Sequence, residues 1–145
     1  MLGLIQRVSH ARVVVDDEVV GEIKRGLLLL LGVQKGDTPQ QIDKLLNKII
    51  AYRVFPDSVG HMNLSLAEVQ GGLLIVSQFT LAADTRKGLR PSFSAAMPPV
   101  EAEVIYNDFV ALARARCPDV ATGIFGADMK VQLENDGPVT FMLES

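Results

Sequence analysis

Gly26-Leu27-Leu28-Leu29-Leu30-Leu31-Gly32-Val33 is followed shortly by Thr38-Pro39-Gln40-Gln41-Ile42-Asp43-Lys44-Leu45-Leu46-Asn47-Lys48-Ile49-Ile50. The change of period between these segments decides the fold. The first is apolar at every position between its glycines, as in a strand buried on both faces. In the second, Ile42, Leu45, Leu46, Ile49 and Ile50 recur at helical spacing and form one face. Thr38 and Gln41 make a capping-box pattern, and Pro39 suits the first helical position. The helix is expected to end near Tyr52, where Val54-Phe55-Pro56 turns extended.

Upstream, Val13-Val14-Val15 and Val19-Val20-Gly21-Glu22-Ile23 flank the polar break Asp16-Asp17-Glu18 and read as a hairpin. Downstream, Asp57-Ser58-Val59-Gly60 is a turn and Asn63-Leu64-Ser65 a short strand. Gly71-Gly72 punctuates, and Leu73 to Val76 is a second buried strand that runs into Ser77. Thr85 to Pro99 is a long loop carrying Gly88, Pro91, Pro98 and Pro99, and loops of that length are often functional. A second helix is predicted from about Val100 to Arg116, with Ile105, Phe109, Leu112 and Ala113 inward and Pro118 just beyond. Met129, Val131 and Leu133 alternate with polar residues as a one-sided strand, and Val139 to Leu143 is a closing strand.

This order predicts a single α/β domain over residues 1–145, with a mixed, mostly antiparallel sheet and two main helices. Two helices do not cover both faces of such a sheet. It is therefore expected to curl into a partial barrel, or to bury one face against another subunit. A length of 145 residues with 48% hydrophobic side chains suits one domain with a sizeable core.

The formal charge of -3 excludes a global basic field for indiscriminate nucleic-acid binding, so any RNA contact rests on a local patch. The single cysteine, Cys117, forms no intrachain disulfide and fits a reducing compartment. The start Met1-Leu2-Gly3-Leu4-Ile5-Gln6-Arg7 lacks the pattern of a signal peptide, and the run Leu27 to Val33 is too short to span a bilayer. A cytoplasmic protein with no membrane association is expected.

Two polar segments interrupt the apolar strands. Ser77-Gln78-Phe79-Thr80-Leu81 follows the second buried strand. It is either an ordinary polar strand end or a cluster of backbone N–H groups, hydroxyls and an amide disposed around a developing oxyanion. Asn135-Asp136-Gly137-Pro138-Val139-Thr140-Phe141 holds a Gly-Pro dipeptide, which either makes a turn or forms a rigid wall of carbonyls against a small chiral ligand. Metal and cofactor chemistry find no support. His10 and His61 are the only histidines and have no ligand spacing with each other or with Cys117. Asp84, Asp128 and Asp136 sit in separate segments, and no phosphate-binding glycine motif or nucleophile elbow occurs. Arg86, Lys87 and Arg90, in the long loop, are either a solvated charged stretch or phosphate contacts. Arg7 and Arg53 are further basic candidates. Phe79 and Phe93 either pack or stack on a base.

Ser77-Gln78-Phe79-Thr80-Leu81-Ala82-Ala83-Asp84 and Asn135-Asp136-Gly137-Pro138-Val139-Thr140-Phe141 resemble the two signature motifs of D-aminoacyl-tRNA deacylases. Leu4-Ile5-Gln6-Arg7-Val8, Leu30-Leu31-Gly32-Val33, Tyr52-Arg53-Val54-Phe55, Met62-Asn63-Leu64 and Arg90-Pro91-Ser92-Phe93 extend the resemblance over the whole chain. It implies a homodimeric tRNA-editing hydrolase without a cofactor. Such an enzyme cleaves the ester between a D-amino acid, or mischarged glycine, and the 3′-terminal adenosine of tRNA. It implies a barrel-like fold, a cis Gly137-Pro138 bond, and a site shared between subunits, in which the Gly-Pro carbonyls crowd the side chain of an L-residue. By the same resemblance Ser77, Gln78, Phe79 and Thr80 form the catalytic segment. Hydrolysis is then driven either by the terminal ribose 2′-hydroxyl or by Thr80 as nucleophile. A binding module of this fold that holds an aminoacyl-tRNA end or a D-amino acid without turnover is the competing reading, and a paralogue acting on mischarged L-alanine is a third.

Overall fold

The computed structural model describes residues 1–145. Strand β1 (Leu2–Val15) turns into β2 (Glu18–Ile23), which leads to β3 (Gly26–Gly32) and helix α1 (Pro39–Ala51). A small ribbon, β4 (Phe55–Pro56) and β5 (Met62–Leu64), and the one-turn helix α2 (Leu66–Val69) precede β6 (Gly72–Ser77). A 3₁₀ turn (Phe79–Ala82) opens the long loop, which ends at α3 (Pro99–Arg116); β7 (Val120–Thr122) and β8 (Lys130–Glu144) complete the chain.

Strand β1 organises the sheet. One edge pairs antiparallel with β8 from Leu2–Glu144 to Val14–Lys130. The other edge is divided: Leu2 to Val8 pair with β3, and Ala11 to Val15 pair with β2. Strand β6 then adds parallel to β3, and β7 parallel to β6. The hairpin turn places Asp16 and Asp17 at φ 49° and 63°, the left-handed pair that a two-residue connection requires and that Asp tolerates. A register shift between Val8 and His10 flips the strand. Val8 before it and Ala11 and Val13 after it all enter the same cluster.

Strand β3 is apolar throughout because both of its faces are covered. Leu27, Leu29 and Leu31 pack in the larger cluster with Leu45 and Ile49 of α1 and Phe109 and Ala113 of α3. Leu28 faces the other way, with Val8, Ala11, Val13, Ile23, Leu74 and Val76. That second cluster fills the inside of the curled sheet. Closure is tightest where β2 meets β7: a Cβ on Gly21 would lie 2.2 Å from the Thr122 carbonyl oxygen, so only glycine permits this approach. The expected partial barrel is thus present, and the curl itself covers the face that the helices leave open.

In α1, Ile42, Leu45, Leu46 and Ile49 are buried, and the Thr38 amide donates to Gln41 Oε1 at 2.8 Å. In α3 the buried face is Ala102, Tyr106, Phe109, Val110 and Ala113. The expected Ile105 and Leu112 flank that face and are half-buried. The stretch read as a strand through Ser65 ends at Leu64, because Ser65 caps α2 and donates its amide to Glu68 at 2.7 Å. The two strands expected near the C-terminus are one, β8, with the Gly-Pro segment inside it. No helix is long and apolar enough to cross a membrane.

Candidate active site

The buried residues Leu73 to Val76 carry β6 to the sheet rim, where Ser77 is half-buried. The Gln78 amide donates to Leu31 O at 2.8 Å and extends the parallel ladder by one bond. The chain then tightens into the 3₁₀ turn, with Leu81 N–H donating to Gln78 O and Ala83 N–H to Thr80 O. The amides of Phe79 and Thr80, first in that turn, have no carbonyl partner within it. The Gln78 side-chain amide donates to Thr80 Oγ1, which ties the two side chains together.

The long loop returns along the end of β3. Asp84 and Ser92 exchange backbone bonds of 2.8 and 3.0 Å, Lys35 N–H donates to Ala95 O, and Met97 N–H donates to Val33 O. This return encloses a cavity of about 660 Å³ with Ser77, Gln78 and Phe79 in its wall and Leu31, Val76, Phe93, Met97, Phe125 and Met129 among its apolar lining. Phe79 and Phe93 stack tilted, with ring centroids 5.0 Å apart, and both are exposed, at 60% and 40%. Tyr106 also lines the cavity and donates its hydroxyl to Ile75 O at 3.0 Å. Burial pushes this phenol up to about 12, against a weaker lowering by Arg114.

Gly137 and Pro138 lie elsewhere in the chain. Register with β1 jumps from Val8–Asn135 to Gln6–Thr140, so the residues between Asn135 and Thr140 project as a corner opposite Arg7. The Gly137-Pro138 bond is cis, and Gly137 has φ +144°, which side-chain-bearing residues rarely adopt. Arg7 braces the corner: Nε donates to Asp136 O at 2.8 Å and Nη1 donates to Val54 O at 2.7 Å. Its side chain is only 11% exposed, and the Asp136 carboxylate stands 3.9 Å away. Asn135 closes the base of the corner, its Oδ1 accepting Val139 N–H at 2.7 Å and its Nδ2 donating to Thr140 Oγ1 at 2.9 Å. Both Gly137 and Pro138 are exposed, and neither lines the cavity beside Ser77.

Within one chain, then, the structure gathers Ser77, Gln78, Phe79 and Thr80 but leaves Gly137 and Pro138 apart from them. Among the basic candidates, Arg7 is engaged with main chain and Arg53 donates to Asn63 O at 2.9 Å. Arg86 grips Asp84 through two bonds of 2.9 and 2.7 Å. That grip holds the Asp84 carboxyl well below the usual range and raises the Arg86 guanidinium. Lys87 and Arg90 are exposed and make no ion pair within the chain. Sequence reasoning missed Asn135 as a clasp and Tyr106 as a cavity residue. The Asn-x-x-x-Val spacing carries no signal for a bond across the corner. Tyr106 is visible only once the phase of α3 is known.

The family model described as D-Tyr-tRNA(Tyr) deacylase matches residues 4–144. A curated protein of Cellvibrio japonicus (strain Ueda107) named D-aminoacyl-tRNA deacylase is 63% identical over 144 residues, 99% of each chain. One of Stutzerimonas stutzeri (strain A1501) with the same name is 61% identical over 145 residues, 100% of each. A solved structure described as c-Myc DNA Unwinding Element Binding Protein superposes with a TM-score of 0.96 at 42% identity, covering 100% of this chain and 99% of that one. A probable eukaryotic D-amino acid tRNA deacylase shares the fold, with a TM-score of 0.84 at 17% identity over 99% of this chain and 98% of that one. With matches over essentially its whole length, this chain belongs to the D-Tyr-tRNA(Tyr) deacylase family.

Proposed function

We propose that this enzyme is a hydrolase that removes D-amino acids, and mischarged glycine, from the 3′-terminal adenosine of tRNA in the cytoplasm. The observation that carries the reading is the apolar cavity with Ser77, Gln78 and Phe79 in its wall. The Phe79 and Thr80 amides beside it have no carbonyl partner in the 3₁₀ turn, and the cavity offers space for a nucleoside ester. In this reading the Phe79 and Thr80 amides and the Ser77 and Gln78 side chains surround the scissile carbonyl. One oxyanion donor of this kind typically contributes about 2.7–4 kcal/mol to the transition state.

The terminal 2′-hydroxyl assists the attack, and Thr80 orders the pocket. Two features support this over a Thr80 nucleophile. Neither histidine lines the cavity, and the group bonded to Thr80 Oγ1 is an amide donor, which does not accept its proton. The exposed corner at Gly137 and Pro138 supplies chirality from a second copy of the chain, its carbonyls crowding an L side chain. The exposed Phe79, Leu89 and Phe93 support a partner at this face. Lys87 and Arg90 then lie beside the entering RNA end, where they meet acceptor-stem phosphates.

The test is hydrolysis of D-tyrosyl-, glycyl- and L-tyrosyl-tRNA by the purified protein. Turnover of the first two with L-tyrosyl-tRNA spared is expected, whereas tight binding without turnover would leave a binding module. A substrate ending in 2′-deoxyadenosine should turn over slowly. Undiminished turnover there, joined to an inactive but folded Thr80→Ala, would return the threonine as nucleophile. Sedimentation at micromolar concentration should give a dimer; a monomer that is fully active would remove the second copy from the site.

A further inference from the structure

Lys35 is the only basic side chain among the residues that line the cavity. The only acidic one, Asp128, has its charge met by Lys130 at 3.1 Å, and Lys130 is not part of the lining. Lys35 itself enters no ion pair. The wall therefore carries one uncompensated positive charge, exposed and next to an apolar chamber.

The backbone that presents this lysine is fixed from three sides. The amide of Lys35 donates to Ala95 O at 3.0 Å, and Gln34 bridges Ala96. Asp37 Oδ2 accepts the Gln34 amide at 2.7 Å, and the Asp37 amide returns to Gln34 O at 3.1 Å. The other oxygen of Asp37 holds the Met1 ammonium at 2.7 Å, with the two side chains 0% and 7% exposed. A turn locked in this way holds the root of the Lys35 side chain fixed at the cavity wall, which lowers the ordering cost of a contact.

The esterified terminal nucleotide of a tRNA, seated in the cavity, has one obligatory anion, the phosphodiester on its 5′ oxygen. Bases and ribose suit the apolar lining and the polar wall, and the phosphate suits the one free cation. We infer that Lys35 binds the 5′-phosphodiester of the terminal nucleotide and so fixes the depth to which the ester enters beside Ser77 and Phe79. The inference deepens the proposed reading and rests on it. Lys35 is a positioning residue here, since it meets a group remote from the scissile bond.

Two non-hydrolysable ligands test it: 3′-deoxy-3′-(D-tyrosylamino)adenosine, and the same molecule bearing a 5′-methylphosphate. Equilibrium dissociation constants are measured by calorimetry for wild type, Lys35→Met and Lys35→Arg. Wild type should bind the phosphorylated ligand roughly tenfold tighter, the ratio expected of one charge-assisted contact. Lys35→Met should bring that ratio close to one, and Lys35→Arg should keep it. A ratio that survives in Lys35→Met, or is absent in wild type, overturns the assignment. Turnover of D-tyrosyl-tRNA by wild type is read separately. Lys35-dependent phosphate binding without turnover upholds this inference and sinks the deacylase reading, whereas turnover with a Lys35-independent ratio does the reverse.

Discussion

Asn135 accepts the amide of Val139 on its side-chain oxygen at 2.7 Å, and so clasps the two ends of the corner that holds Gly137 and Pro138. Asn135 closes the base, and Arg7, the residue directly opposite, ties Asp136 to the core at Val54.

Removing the clasp should loosen the corner without unfolding the sheet. Asn135→Ala leaves the half-buried Val139 amide without its acceptor, a loss of about 1–3 kcal/mol. We expect a lower melting temperature and, more diagnostically, a smaller ratio of D- to L-tyrosyl-tRNA hydrolysis. Arg7→Lys should act in the same direction, because a single ammonium does not reach two carbonyls as the planar guanidinium does. Unchanged discrimination in both variants would separate the corner from chiral selection.

The Met1 ammonium and Asp37 form a buried pair, and removing one member of such a pair typically costs about 3–5 kcal/mol. Asp37→Ala also strips the Gln34 amide of its acceptor. A urea denaturation midpoint well below wild type is expected. Asp37→Asn, which keeps an acceptor oxygen, should fall between them.

Tyr106 makes stability sensitive to alkali. Below pH 10 the phenol is protonated in both folded and unfolded chains, so it adds no pH dependence. Between pH 10 and about 12 the unfolded chain loses its proton first, because burial holds the folded group up to about 12. Stability should therefore fall across that window, by about 2–3 kcal/mol at most. Denaturation curves recorded from pH 9 to 12 should show the fall, and Tyr106→Phe should reduce it, leaving the smaller part owed to the buried Cys117 thiol, whose burial also pushes it up.

Gly21→Ala places a methyl where the Thr122 carbonyl already sits, at 2.2 Å from its oxygen. Backbone must shift to admit it, and overpacking of this kind costs about 1–3 kcal/mol or more. The exposed neighbour Val20 gives the control, since Val20→Ala should change stability by no more than about 0.5 kcal/mol. Equal, small effects in both would show that β2 and β7 do not close the curl this tightly.

Arg86 is occupied by Asp84, while Lys87 and Arg90 are not. Neutralising Lys87 and Arg90 should lower the slope of log affinity for tRNA against log salt by about 0.7–0.9 per residue lost. Neutralising Arg86 should lower it less. Identical slopes in all variants would place the RNA elsewhere.

The amphipathic α1, the doubly buried β3 and the hairpin around Asp16 and Asp17 are legible in sequence because local pattern and burial agree there. The three-residue strand β7, which begins two residues after Pro118, is not: its place comes from a parallel partner, β6, far away in sequence. The Gly-Pro segment reads as a break between two strands, since a projecting corner is indistinguishable from a turn until the register on both sides is known. The Ser77 to Thr80 segment is legible as a group because its residues are contiguous. The cavity beside it is not, because it is assembled from Leu31, Phe93, Tyr106 and Phe125, which only the tertiary fold brings together.

The separation of the Ser77 segment from the Gly137-Pro138 corner has a genetic corollary. If, as proposed, the corner of one copy completes the pocket of a second, lesions in the two regions should complement. A chain crippled at Thr80 still carries an intact corner, and one crippled at Pro138 still carries an intact pocket. Mixed and allowed to reassort, two inactive preparations should yield hybrids in which one of the two reaction centres is whole again.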